Sequence, residues 1–118
     1  MAKQVRVNVT REGGVLTELC LLAAFDALQR ARGLLGRPQP LPQRGLWLKP
    51  CNAVHCWFMA YRIDVLFLDG AGKVLKRVDQ LRPWRMAACR GARSVVELAA
   101  GEAGRLDINQ GDVFECVA

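Results

Sequence analysis

The side chains best suited to chemistry lie around the single histidine of the chain. Cys51, His55, Cys56 and Met59 bring two thiols, an imidazole and a thioether into nine consecutive residues. Soft sulfur ligands together with imidazole suit Cu(I) or zinc. However, the spacing differs from that of the paired ligands in structural zinc sites, and a strand would turn residue 56 away from residues 55 and 59. Cys51, His55 and Cys56 are therefore only candidate metal ligands, and we expect no metal or other cofactor.

The histidine also allows an enzymatic interpretation. His55 and Asp64 could form an acid–base pair, or the imidazole could activate a thiol that lies close to it. The thiols considered as nucleophiles are Cys51, Cys56 and Cys89. The sequence does not choose among them, so a cysteine- and histidine-dependent enzyme or a metal-binding protein remains an alternative. Otherwise Asp64 is a turn or strand-edge charge, paired with Arg62 or Arg82.

An irregular, basic segment after the middle of the chain combines arginine with tryptophan. Pro83 and Gly91 interrupt Leu81–Ala92. Exposed aromatic rings in loops often mark binding sites, and arginine suits anionic groups. We therefore predict a ligand-binding site made of His55, Trp57, Met59, Asp64, Arg82, Trp84 and Arg85. The competing interpretation is that all three tryptophans belong to the core.

The charge distribution points to an anionic partner. The net charge is +6, and residues 27–96 carry thirteen basic side chains against three aspartates. If these side chains share a face in the fold, that face is basic. The leading hypothesis is a non-catalytic module that binds a small anionic ligand or a protein segment. A basic surface that binds nucleic acid is a further alternative, although no motif of the usual nucleic-acid-binding modules is present.

Length and composition indicate an ordinary globular protein. The 118 residues fit a single domain over residues 1–118, and 52% of them are hydrophobic. Apolar runs reach only about five residues, against roughly twenty for a membrane helix, and no secretory signal follows Lys3. We therefore expect a cytoplasmic protein without a membrane partner. Five cysteines in a reducing compartment should be free thiols.

The chain has to position these side chains with strands rather than helices. Alternating apolar residues or flanking turns predict strands over Gln4–Thr10, Val15–Leu22, Ile63–Leu68, Lys73–Val78, Ser94–Leu98 and Val113–Val117. Helical spacing predicts one principal helix at about residues 23–36, and a short helix is expected near residues 101–106. The order is not the strand–helix alternation of a parallel sheet. We predict a mainly β fold, an antiparallel β sandwich or barrel.

Six segments in this order resemble a known family. They are Arg30–Arg37, Val54–Met59, Tyr61–Asp69, Leu81–Arg85, Val95–Gly101 and Gly111–Asp112. They are similar to the bacterial and archaeal family catalogued as domain of unknown function 192, over about Leu21 to Val117. The resemblance implies a compact, predominantly β domain and no settled activity. The chain is similar to the shorter, cytoplasmic-looking branch of the family, which tends to read Val-His-Thr-Phe or similar at the centre. Cys56 and Trp57 stand here instead, which argues against chemistry by a hydroxyl group at that site.

Overall fold

The framework of the computed structural model, which describes residues 3–57 and 59–117, is a seven-stranded sheet. The strands are β1 (Lys3–Arg11), β2 (Gly14–Ala24), β3 (Arg44–Leu48), β4 (Ala53–His55), β5 (Ile63–Leu68), β6 (Val74–Leu81), β7 (Met86–Ala88), β8 (Ser94–Ala99) and β9 (Val113–Cys116). The helices are α1 (Ala27–Arg32) and α2 (Glu102–Arg105). The large sheet has the order β6-β5-β8-β3-β2-β1-β9, and β4 pairs with β7 in a separate small sheet.

The large sheet is mixed and curls toward closure. Strand β2 pairs with β3 in parallel, while the other pairs in the sheet are antiparallel. Main-chain hydrogen bonds also join Gly72 and Val74 to Gly111, Asp112 and Phe114, so the two edge strands of the sheet meet. The prediction of a mainly β sandwich or barrel is confirmed, but it missed the parallel pair. That pair arises because the connection from β2 to β3 carries α1 and crosses back along the sheet.

The sheet separates two clusters of buried side chains. On the inner face lie Val7, Val9, Leu19, Leu66 and Leu98, with others. On the outer face Leu46, Val65, Phe67 and Val95 pack beneath the segments that contain α1 and β4. Strands β5 and β8 are buried along their whole length because both of their faces are covered. Any charged residue on these two strands must therefore point into one cluster or the other.

The helices are shorter than the sequence predicts. Strand β2 continues to Ala24 because residues 23 and 24 still pair with β3, so the principal helix cannot begin there. Asp26 caps α1, its Oδ1 accepting a hydrogen bond from the Gln29 N–H at 2.8 Å, and the helix ends at Gly33 with a φ of 53°. Helix α2 lies where the short helix was expected. No helix in residues 3–57 and 59–117 is long and apolar enough to cross a membrane.

Candidate functional site

The outer face of the sheet holds an open cleft with a volume of about 150 Å³. Its walls come from α1 and the turn after it, from β4, and from the start of β5. The apolar part of the lining includes Leu34, Leu48, Val54, Met59 and Ile63. The polar part consists of Arg30, Arg32, Cys51, His55, Trp57 and Glu97. We call this space the Glu97 cleft.

Glu97 is the only carboxylate on the described lining of the cleft, and it is buried. It lies on β8 between Leu46 of β3 and Val65 of β5, so its side chain shares the outer face of the sheet with theirs. Only 4% of the residue is exposed. No group in the described part of the chain donates a hydrogen bond to its carboxyl, and no cation there pairs with it. Burial raises the pKa of Glu97 from 4.5 to about 7.

Gly33 leaves the Glu97 carboxyl open to the cleft. A Cβ placed on Gly33 would lie 3.7 Å from Glu97 Oε1, close enough for contact. Gly33 also has a positive φ of 53°, where a larger residue would be strained. The glycine after α1 therefore brings the main chain close to the carboxyl without covering it.

Two arginines of α1 bring positive charge to the cleft. Arg30 Nη1 donates to the carbonyl oxygens of Phe25 at 3.1 Å and Lys49 at 3.5 Å, and Arg32 Nε donates to the Leu35 carbonyl at 3.2 Å. Neither guanidinium makes a salt bridge within residues 3–57 and 59–117. Because a guanidinium carries five N–H donors, both arginines keep donors available for an anionic group.

His55 and Trp57 form an exposed aromatic pair beside these arginines. Their rings stack with centroids 4.7 Å apart and planes inclined by 30°. The main-chain N–H of Trp57 donates a hydrogen bond to His55 Nδ1 at 3.4 Å, so a neutral imidazole carries its proton on Nε2. The Trp57 residue is 46% exposed, so its ring can cover a bound molecule at the mouth of the cleft.

The predicted residues of the basic loop lie next to the cleft but do not line it. Arg82, Trp84 and Arg85 are exposed in the segment that joins β6 to β7. The main-chain N–H of Trp84 donates a hydrogen bond to the Cys56 carbonyl at 2.7 Å. This bond holds the loop beside the segment after β4. The structure thus gathers His55, Trp57 and Met59 in the cleft and leaves the three predicted residues of the loop outside it. The alternative of three core tryptophans is wrong, since Trp84 is 61% exposed and only Trp47 is buried.

Asp64 lies on the inner face of the sheet, away from the cleft. Its residue is fully buried, and its neighbour across the strand pair is Leu98 of the inner cluster. Asp64 Oδ1 accepts a hydrogen bond from the Gln80 N–H at 2.9 Å, and Oδ2 accepts one from the Ala103 N–H at 2.8 Å. The carboxylate therefore fastens α2 and the end of β6 to the sheet. The structure does not bring Asp64 to His55, and the residue is not the turn or strand-edge charge that the sequence suggested as the alternative.

The thiols near the cleft are poorly suited to nucleophilic chemistry. Burial raises the pKa of Cys51, and it raises the pKa of Cys56 to about 11, with the charge of Glu97 acting in the same direction. A cysteine nucleophile instead needs a lowered thiol pKa. Cys51 and His55 line the cleft, whereas Cys56 is completely buried. In the part of the chain that the structure describes, no three His, Cys, Asp or Glu side chains are arranged to hold a metal ion.

Glu97, Arg30 and Arg32 are the charged cleft residues that were not predicted from the sequence as part of the site. One signal for Glu97 was available, because it is the single charge in the otherwise apolar run from Val95 to Ala100. A charged residue in a buried strand needs an explanation. The two arginines gave no such signal, since they are two among many in residues 27–96.

The fold and the site together define a curled, mainly β domain with a buried carboxyl in an open cleft. The model of the family called domain of unknown function 192, described as "Uncharacterized ACR, COG1430", matches residues 7–116. The chain belongs to this family, as its motifs indicated. No biochemical function is established for the family.

Similar proteins agree with this assignment. A UPF0127 protein of Thermococcus sibiricus (strain DSM 12597 / MM 739) is 33% identical over 64 residues, which are 53% of this chain and 41% of that protein. The match therefore spans less than half of the length of that relative.

Two solved structures share the fold. A protein of Sinorhizobium meliloti 1021, described as a supposed transcription regulator, superposes with a TM-score of 0.89 at 24% identity, over 98% of this chain and 95% of its own. A protein of unknown function from Novosphingobium aromaticivorans DSM 12444 gives a TM-score of 0.82 at 22% identity, over 95% and 84% of the two chains. At these identities the likeness concerns the fold alone.

Proposed function

We propose that this protein is a non-catalytic binding module whose Glu97 cleft takes a small ligand with an anionic group. The observation that carries the proposal is the buried, unpartnered Glu97 carboxyl on the wall of an open cleft. A buried carboxyl that makes no hydrogen bond costs folding free energy. The cost is understandable if a ligand supplies the missing partner, and perturbed carboxyls in clefts are common at functional sites.

The anionic part of the ligand is supported by the cations at the cleft. Arg30 and Arg32 have no carboxylate partner in the described residues and retain free N–H donors. They sit beside the exposed pair of His55 and Trp57, where an anionic group can lie in the plane of a guanidinium while staying partly hydrated. The mouth of the cleft is therefore suited to an anionic group, whereas the buried part beside Glu97 is not.

The size of the cleft favours a small molecule over a protein segment. A volume of about 150 Å³ is similar to that of an engineered protein cavity that holds benzene. A protein segment would fill this space with one side chain and would need further contacts outside it. We therefore treat a single side chain of a partner protein as the second way to occupy the same cleft.

Tryptophan fluorescence tests whether small anionic molecules bind in the cleft. Trp57 lines it, whereas Trp84 is similarly exposed outside it, so Trp57→Phe and Trp84→Phe are matched variants. In a screen of small carboxylates and phosphates, we expect a saturable fluorescence change that Trp57→Phe removes and Trp84→Phe retains. Amide shifts in two-dimensional NMR spectra should then map to β4 and α1. A change that survives in Trp57→Phe, with shifts elsewhere, would contradict binding in this cleft.

A basic surface for nucleic acid is the second candidate, and one observation favours it. Arg82, Trp84 and Arg85 are all exposed on the loop next to the cleft, which combines stacking and phosphate-binding groups. Binding of single-stranded oligonucleotides should then weaken steeply with salt, and Trp84→Phe rather than Trp57→Phe should reduce it. Affinity that is independent of salt would exclude this candidate.

A cytoplasmic setting is also part of the proposal. All five cysteines are free thiols, and Cys116 is exposed. Exposed thiols persist in a reducing compartment.

A further inference from the structure

We propose that the ligand of the Glu97 cleft is a small amino-carboxylate, whose protonated amine binds the Glu97 carboxylate and whose carboxylate lies at Arg30. This inference rests on the proposed function and adds the chemistry of the inner end of the ligand. It follows from unlike charges on the lining of one cleft, where a buried acid and a cation with free donors are both present.

The inner end of the cleft selects for a hydrogen-bond donor. A carboxylate accepts hydrogen bonds but has none to give, and Glu97 receives none from the described residues. An anionic group pushed next to it would add repulsion to the desolvation of both groups. An ammonium group instead supplies up to three N–H donors and a compensating charge, and a charge-assisted pair of this kind is among the stronger polar contacts.

Much of the remaining lining of the cleft is apolar and includes Leu34, Val54 and Ile63, which fits a hydrocarbon linker in the ligand. Cys51 is close to both charges, because Glu97 raises the pKa of its thiol and Arg30 lowers it. The linker must be short, since the whole cleft has a volume of about 150 Å³. A chain of a few methylene groups between amine and carboxylate satisfies these conditions.

Glu97 also makes the binding of the amine depend on pH. The titratable and charged groups that face Glu97 or share its cleft are Arg30, Arg32, Cys51, His55, Cys56 and Tyr61. Raising the pH removes the proton from Glu97, so an ammonium group should bind more tightly. A His55→Gln background keeps the imidazole out of the comparison between the two pH values.

Three matched compounds test the inference: γ-aminobutyrate, butyrate and butylamine, titrated calorimetrically into the full chain at pH 5.5 and pH 8. We expect γ-aminobutyrate to bind about tenfold more tightly than butyrate at pH 8, the gain expected for one charge-assisted hydrogen bond. In the His55→Gln background this advantage should shrink at pH 5.5. The variant Glu97→Gln, which removes a buried charge at constant size, should lose the advantage while its binding of butyrate stays unchanged.

A second pair of variants tests the contact between the ligand carboxylate and Arg30. Arg30→Gln should weaken γ-aminobutyrate and butyrate alike and leave butylamine unaffected. Arg90→Gln removes an exposed arginine that does not line the cleft and should change nothing. Equal binding of butyrate and γ-aminobutyrate, both unaffected by Glu97→Gln, would overturn the inference and leave the proposed anion site standing. Failure of all three compounds at millimolar concentration would overturn the amino-carboxylate, whereas the fluorescence screen decides the proposed function separately.

Discussion

Asp64 and Glu97 are two buried acids on neighbouring strands, and they differ in the hydrogen bonds that they receive. They lie on β5 and β8, where Asp64 faces Leu98 and Glu97 faces Val65 across the strand pair. Each residue is almost inaccessible to solvent. Asp64 accepts main-chain hydrogen bonds from Gln80 and Ala103, whereas Glu97 accepts none from the described residues.

The difference distinguishes an acid that stabilises the fold from one whose burial costs folding free energy. The hydrogen bonds of Asp64 offset its desolvation and secure α2 and β6, so these bonds contribute to stability. The charge of Glu97 has no comparable compensation, and its raised pKa records the cost. A group that is retained at such a cost and lies open to a cleft is a better candidate for binding than one whose bonds are already complete.

The largest effect that tests this comparison should come from Asp64→Asn. The amide nitrogen of asparagine cannot accept the hydrogen bond that one of the two carboxylate oxygens accepts now, so a buried N–H loses its acceptor. We expect a loss of roughly 3 kcal/mol in the free energy of unfolding. Urea denaturation at pH 7 measures it, and a loss below about 0.5 kcal/mol, the usual range of surface changes, would remove the structural role of Asp64.

The matched change Glu97→Gln should have the opposite sign and depend on pH. Because the pKa of Glu97 in the folded protein is about 7 and its ordinary value is 4.5, the folded chain keeps a proton that the unfolded chain releases between these values. The wild type should therefore lose stability as the pH rises from about 4.5 to 7, by roughly 3 kcal/mol at about 1.4 kcal/mol per pH unit. Burial of the glutamine amide offsets part of the gain, so we expect the variant to be about 2 kcal/mol more stable at pH 8.

Urea denaturation at pH 4.5 and pH 8 provides the control for that prediction. At pH 4.5 the acid is protonated in the folded state, so wild type and Glu97→Gln should differ little. A stability difference that is the same at both pH values would show that packing rather than ionisation of Glu97 separates the two proteins. Asp64→Asn should not reproduce the gain at pH 8.

The smallest expected effect is on the reactivity of a nearby thiol. The charge of Glu97 contributes to the raised pKa of Cys51, so Glu97→Gln should lower that pKa. Because the thiolate is the reactive form, we expect Cys51 to be alkylated by iodoacetamide about two- to threefold faster in the variant at pH 8. Peptide mass spectrometry resolves Cys51 from the exposed Cys116, which serves as an internal control. An unchanged rate for Cys51 would mean that Glu97 carries little charge at this pH.

Local patterns in the sequence were sufficient for most strands and for both helical regions. The alternation of Val5, Val7 and Val9 predicted β1, and the Asp69–Gly72 turn predicted the hairpin of β5 and β6, where Asp69 Oδ1 accepts hydrogen bonds from two N–H groups. The predicted length of the principal helix was wrong. Ala23 and Ala24 have a high intrinsic helix propensity, but pairing with β3 holds them in a strand. Pairing between distant strands decides such cases, and it is invisible in a local window.

The candidate site was predicted only in part. His55, Trp57 and Met59 are close in sequence, so their common position in the cleft follows from local structure. Asp64 was grouped with them although it lies on the other face, because the direction of a side chain on β5 depends on the register of the strand. Glu97 comes from a strand about forty residues later along the chain and could reach the cleft only through pairing of β8 with β5 and β3.

The sequence by itself determined the class of fold, the family and the excess of arginine in residues 27–96, because these depend on local pattern, motif order and composition. The tertiary structure alone decided which buried acid receives hydrogen bonds and which faces an open cleft. Sheet register assigns each residue of β5 and β8 to one face, and the faces have different coverings. Two carboxyl groups that look equivalent in their apolar sequence runs therefore have different environments in the folded protein, and only that of Glu97 lines the cleft.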